Sequence, residues 1–147
     1  MKALSSDIVD MVQIPANMLD RRFEKAGVFD RAADLGKRVY IRSVFLQGLL
    51  LMEPGDIPES MNYVKTIIEA VIRMSHDLGM PRSDLALGYV KLKYPAANVV
   101  FGAETANQVS ANCLTWLKDL PESFLTIADD AFGSIDEAVI NPALWPH

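Results

Sequence analysis

Cysteine, histidine, positive charge and long apolar runs are all scarce in this 147-residue chain. Its one cysteine, Cys113, excludes an internal disulfide and a cysteine-based zinc cluster. Two histidines, His76 and His147, leave little for metal ligation, and no Ser-His-Asp arrangement, metal-ligand spacing or Walker-type loop occurs. The longest apolar run, around Val44 to Met52, is broken by Gln47 and is too short to span a bilayer. The first residues, Met1 to Asp7, hold no signal-peptide core. Fourteen Lys and Arg stand against nineteen Asp and Glu, a formal net charge of −5 that argues against general nucleic-acid binding. These scarcities together predict a soluble cytoplasmic protein that engages neither nucleic acid nor membrane.

What is present suits one domain with a real core, since half of the chain is apolar and 22% is charged. Asp7 to Ile14 is β-branched, mostly apolar and stopped by Pro15, so it reads as a buried strand. A helix-prone segment runs from Asp20 to Gly36, with Phe23, Phe29, Ala32, Ala33 and Leu35 as its inner face. Within it Arg21, Arg22 and Lys25, with Glu24 among them, read as a solvated face. Arg38 to Phe45 is a second strand. Pro58 opens a long helix that ends near Leu78, with Met61, Val64, Ile68, Val71 and Ile72 on one side and His76 part-exposed. Ser83 caps another helix through about Lys93, and Pro95 stops it. Val99 to Phe101 is the third strand. The next helix, Thr105 to Leu120, is expected to bury Val109, Cys113, Trp116, Leu117 and Leu120. A last one runs from Glu122 to Phe132, where Asp129 and Asp130 read as solvated. The order β-α-β-α-α-β-α-α implies parallel right-handed crossovers and an α/β class.

The stretch Asn98 to Asn112 holds the strongest local signal. Val99, Val100 and Phe101 have strand chemistry, and Gly102 permits a turn or a close ligand approach. Thr105 and Gln108 have the spacing of a capping box, which starts a helix at Thr105. A strand, a glycine turn and a helix N-terminus together offer free N–H groups and the positive end of a dipole to an anion such as a nucleotide phosphate. Most such turns bind nothing, so the local pattern leaves both readings open.

Three parallel strands make a thin sheet with two unpaired edges, whereas a complete (β/α)8 barrel needs about 200 residues or more. The apolar edge and interior surface of such a sheet should be covered by another chain. An oligomer is therefore expected, with the first or third strand near the interface.

Three segments in order resemble the aldo/keto reductase family. Asp7 to Arg22 is similar to its sixth barrel strand and the segment after it. Val39 to Leu51, with its Arg-Ser-Val-Phe-Leu-Gln-Gly run, is similar to the seventh strand and its loop. Val99 to Asn112 is similar to the eighth, and the ending Asn141-Pro-Ala-Leu-Trp145 to a common close of bacterial members. The resemblance covers nearly the whole chain. It implies a partial (β/α)8 TIM barrel, three parallel strands with flanking helices, as a single C-terminal unit over residues 1–147.

The family reduces aldehydes and ketones with NADPH or, less often, NADH, and the resemblance implies where the cofactor would touch. Gln13 matches a glutamine that hydrogen-bonds the nicotinamide amide; by itself it reads as a satisfied polar group at a strand end. Arg42 stands where many members stack a tyrosine on the nicotinamide; it also suits a surface ion pair. Ser43, Phe45, Gln47 and Gly48 match the loop along the pyrophosphate, although plain core packing also suits Phe45. Gly102, Ala103, Glu104, Gln108 and Asn112 match the adenosine end, with Asn112 toward the adenine edge. NADPH-preferring members often carry cations near Glu104 and Gln108. This chain has neither, and Glu104 would repel a 2′-phosphate, so NADH should compete well.

Family catalysis uses a tyrosine acid tuned by lysine, aspartate and histidine on earlier strands, and the resemblance places no such set here. Tyr40, Tyr63, Tyr89 and Tyr94 have no Lys-Asp-His group near them in the expected layout. Two functions follow. The chain is a fragment or truncated form of the reductase, carrying cofactor contacts, inactive alone and completed by an N-terminal half. Alternatively it is a non-catalytic, self-assembling half-barrel used for binding.

Overall fold

Three short parallel strands carry the fold: β1 (Met11–Pro15), β2 (Arg38–Arg42) and β3 (Asn98–Val99), in the order β1-β2-β3. The computed structural model describes residues 2–118, 120–121 and 123–146. The expected helix start at Glu122 and the terminal His147 lie outside them. In β2, Val39 and Ile41 are buried toward the helices, while Arg38, Tyr40 and Arg42 face the other way, as strand alternation demands. Register sets Gln13 beside Tyr40 and Tyr40 beside Asn98. No described helix covers that second face, so the sheet is open there and at both edges.

Seven α-helices flank the strands: α1 (Arg22–Lys25), α2 (Val28–Asp34), α3 (Lys65–Leu78), α4 (Arg82–Lys93), α5 (Ala106–Leu117), α6 (Ser123–Phe132) and α7 (Glu137–Ile140). The expected alternation of strands and helices holds, with corrections at the element ends. The segment from Asp20 to Gly36 is two helices rather than one. Gly27 between them has φ +67, which turns the chain, and Ala33 and Leu35 are exposed while Val28 joins Ala32 inside. The expected long helix begins as a 3-10 segment, Glu59–Val64, before α3. Met61, Val64, Ile68 and Val71 are buried as the spacing predicts, Ile72 is half-buried, and His76 is exposed. Ser83 does not cap α4: Pro81 occupies that position without a side-chain bond. The strands are shorter than expected, because the chain leaves the sheet after Arg42 and after Val99.

The buried core joins Ile41, Leu49, Leu50, Ile68, Leu85, Leu87, Tyr89 and Phe124. Helix α4 is buried continuously from Asp84 to Val90, since it touches α3, α5, α6 and the 3-10 turn Leu49–Leu51. Leu120 lies over Gly88, whose missing side chain makes the room.

Two charge readings are overturned. Asp129 is not on a solvated face, and the Arg21–Lys25 cluster is not one either. The Asp129 carboxylate accepts hydrogen bonds from Arg21 Nη1 at 2.8 Å, Tyr89 Oη at 2.7 Å and Lys93 Nζ at 2.6 Å. Arg21 also pairs with Glu24 at 2.9 Å, and Tyr94 Oη donates to Glu24 at 3.2 Å. Arg22 reaches Asp20 and Glu137, and Lys25 donates to the Gly133 carbonyl. Periodicity cannot see these pairs, because their partners are more than a hundred positions away.

Helix α5 departs furthest from expectation. Val109, Cys113 and Leu117 are exposed rather than buried, with Leu117 at 77%, and Trp116 is half-buried. The residues turned inward are Asn112 and Thr115. The apolar stripe that the sequence shows is real, but among the described residues nothing covers it.

Candidate functional site

A cleft of about 740 Å3 opens at the C-terminal ends of β2 and β3. Ligand sites in parallel α/β folds gather at this end, where loops leave the strands. One wall is the loop after β2. Ser43, Leu46 and Gln47 have positive φ (60, 48 and 55) and Gly48 has φ +87, so the chain coils tightly before entering the turn Leu49–Leu51. Such backbone is costly outside glycine and persists only where surroundings enforce it. Here the surroundings are visible. Buried Asn17 donates from Nδ2 to the Ser43 carbonyl at 3.0 Å, while its Oδ1 accepts from the amides of Leu19 and Asp20. Leu46 N also bonds the Ser43 carbonyl, and Leu49 and Leu50 anchor the far end in the core. Arg82 then holds the chain beyond through the Met52 carbonyl and an ion pair with Glu53.

The other wall is the segment after β3 and the first turns of α5. Val100 N bonds the Ile41 carbonyl at 2.8 Å and ends the ladder. The Thr105 hydroxyl caps α5 by accepting from Gln108 N at 3.2 Å, as the spacing predicts. The reciprocal half of the box is displaced by one residue: Gln108 Oε1 accepts from Glu104 N at 2.7 Å. Gly102 is not required by the backbone, because its φ is not positive and a Cβ there would meet nothing within 4 Å. It opens the wall instead of turning the chain.

Nine of the eleven positions singled out in the sequence line this one cleft: Ser43, Phe45, Gln47, Gly48, Gly102, Ala103, Glu104, Gln108 and Asn112. Gln13 and Arg42 do not. Gln13 lies on the uncovered face of β1 and borders a second, smaller cleft with Leu4, Met11, Phe23 and Val28. Arg42 is exposed on the same face of β2, with Nη1 3.1 Å from Ser43 Oγ. Sequence reasoning missed Val44, Leu51, Ser83, Val100, Phe101 and Ala111 in the lining. It also missed Asn17, whose signal was available in the Asn-x-x-Asp spacing of a side-chain turn.

Asn112 is only 8% exposed and lines the cleft, yet its amide has no hydrogen-bond partner among the described residues. Buried side-chain amides are almost always bonded, so such a group points to something outside the chain. Behind it, Asp84 fixes α5 to α4: its carboxylate accepts from Thr115 Oγ1 at 2.6 Å and from Lys118. Burial alone would raise the Asp84 pKa, but the bonds from Lys118 and Thr115 and the charge of Lys118 outweigh it and hold the group below the usual carboxylate range. Glu104 is the one charged residue in the lining.

A tyrosine, a lysine and an aspartate do meet elsewhere, contrary to the expected layout. Tyr89 donates to Asp129, which also accepts from Lys93. Burial, then the bond to Asp129, pushes the Tyr89 hydroxyl far above its ordinary range. That is the wrong direction for an acid working near neutral pH, and the group is a structural clasp. No group of three or more metal-binding side chains occurs among the described residues.

These features define an open, three-stranded parallel α/β unit with a cleft at its strand ends. The chain matches no protein-family model and no curated protein. Solved structures do match. The holo form of the aldo-keto reductase AKR11C1 from Bacillus halodurans is 26% identical with a TM-score of 0.71, over 97% of this chain and 48% of that one. The apo form gives 24% and 0.73, over 97% and 49%. The thermostable aldo-keto reductase Tm1743, in complex with epalrestat, gives 16% and 0.59 over 82% and 39%. The chain thus has the fold of a partial aldo-keto reductase barrel, its sheet not closed, and it spans about half the length of the first two structures.

Proposed function

We propose that this chain is the cofactor-binding part of an NAD(P)H-dependent aldo-keto reductase, a reducer of aldehydes or ketones. One observation carries the reading. Nine positions chosen for cofactor contact meet in one cleft, and among them Asn112 offers a buried amide with no partner in the described chain. The residues fit a dinucleotide. Asn112 can bond the edge of a purine, the space at Gly102 admits close approach, and the coiled loop Ser43 to Gly48 lies where a diphosphate would run. When bound, the cofactor supplies the reducing electrons for a carbonyl. This chain's residues bind and orient it, while the proton donor comes from elsewhere, since Tyr89 is committed to Asp129. Gln13 and Arg42, on the uncovered face, would meet the nicotinamide end once that face is covered.

A complementing N-terminal half or a second copy of the chain would provide the cover. A second reading, a non-catalytic half-barrel that self-associates, is favoured by the exposed stripe of Val109, Cys113 and Leu117 on α5. Titration of the purified chain with NADH and NADPH, read by nicotinamide fluorescence, separates the two. Binding at submillimolar cofactor is expected, and no binding at millimolar cofactor would defeat the reductase reading.

A further inference from the structure

We infer that the cleft selects a dinucleotide whose adenosine ribose carries a free 2′-hydroxyl over one carrying a 2′-phosphate, and that Glu104 makes the selection. The inference rests on the dinucleotide reading above. The lining contains no Lys, Arg or His; its single charge is a carboxylate. A phosphate monoester held there would find hydroxyls, amides and apolar side chains but no counter-charge.

A helix N-terminus could have stood in for a cation, since the positive end of α5 opens onto this wall. Glu104 removes that option. It immediately precedes the cap residue Thr105, so an acidic side chain already stands against the positive end. Its neighbours close the remaining donors: Glu104 N is taken by Gln108 Oε1, and Gln108 N by Thr105 Oγ1. Arg42 bonds Ser43 at the opposite wall, on the uncovered sheet face, and is not in the lining. Arg82 is occupied by Met52 and Glu53. The site therefore rejects a dianion and retains groups that a ribose diol can use: the Glu104 carboxylate as acceptor, and the Asn112 amide for the base.

Two added negative charges several ångströms from an exposed carboxylate weaken binding by about ten-fold at low ionic strength, and salt should shrink the gap. The test compares binding of NADH and NADPH, and of ADP-ribose and its 2′-phosphorylated form, to the wild-type chain, Glu104→Gln and Glu104→Lys. Glu104 is exposed and outside the core, and far-ultraviolet circular dichroism checks that the variants remain folded. The expected result is a preference of about ten-fold for the unphosphorylated ligand in the wild type, reduced in Glu104→Gln and reversed in Glu104→Lys. Equal or tighter binding of the phosphorylated ligands by the wild type overturns the inference and leaves the dinucleotide reading standing. So does a preference that both variants preserve. Failure of all four ligands to bind overturns both.

Discussion

Asn112 shows how a residue can serve a ligand at the fold's expense. It is buried at a helix position where an apolar side chain would pack, and the chain offers its amide nothing in return. An unsatisfied buried polar group costs roughly 1–3 kcal/mol. Asn112→Ala should therefore leave the urea unfolding midpoint unchanged or raise it, within about 1 kcal/mol, while weakening dinucleotide binding at least ten-fold. A large loss of stability would mean that Asn112 is structural after all. Glu104 and Gly102 belong to the same class of residue, since neither is demanded by the backbone or the core. Asn17 is the contrast: its side chain is spent entirely on the two loops it joins.

Among the elements, helices that bury their apolar stripe against their own chain were legible. Spacing alone placed the inner face of α3, and Thr105 gave the start of α5. The site was legible because its positions cluster in two short segments that follow strands. What stayed hidden has physical causes. The inner face of α5 was misassigned because its apolar residues are turned away from the described core, and a pattern does not say what will cover it. The break at Gly27 lay inside a segment with helical periodicity throughout. The charges on α1 and α6 looked solvated because their pairing depends on tertiary geometry. Those pairs set an acid response. Burial opposes ionisation of Asp129, but the hydrogen bonds from Lys93 and Tyr89 and the charges of Arg21 and Lys93 outweigh it, so its pKa lies below the ordinary value. A depressed carboxylate stabilises the fold above its unfolded pKa of about 3.9 and loses that contribution as pH falls through the folded value. Asp84 acts in the same direction. Stability should decline below about pH 4. Asp129→Asn should lower the urea midpoint at pH 7 and flatten its fall in acid; an unchanged slope would show that the clasp contributes nothing to it.

For the molecule as a whole, the open sheet dominates. Both sheet edges lack a neighbouring strand, β2 presents Arg38, Tyr40 and Arg42 on an uncovered face, and α5 presents Val109, Cys113 and Leu117 beside it. Edges and apolar faces of this kind invite association. Light scattering at low salt should report a mass above one 16.3 kDa chain. Leu117→Glu should reduce that mass if α5 is part of the contact, with folding stability changed by no more than about 0.5 kcal/mol, since Leu117 is exposed. A monomeric wild type would argue against self-association and turn attention to a complementing half.

The clasp around Asp129 also bears on the order in which the chain can be made. A ribosome releases Arg21, Arg22 and Lys25 early. Their partners Asp129, Glu137 and the Gly133 carbonyl emerge more than a hundred residues later. Until then Tyr89 has no acceptor for its buried hydroxyl, and Lys93 has only Glu24. The nascent chain can pair its strands and coil the loop after β2, yet it cannot lock α1 against α4. The last helices to be synthesised are what complete the first.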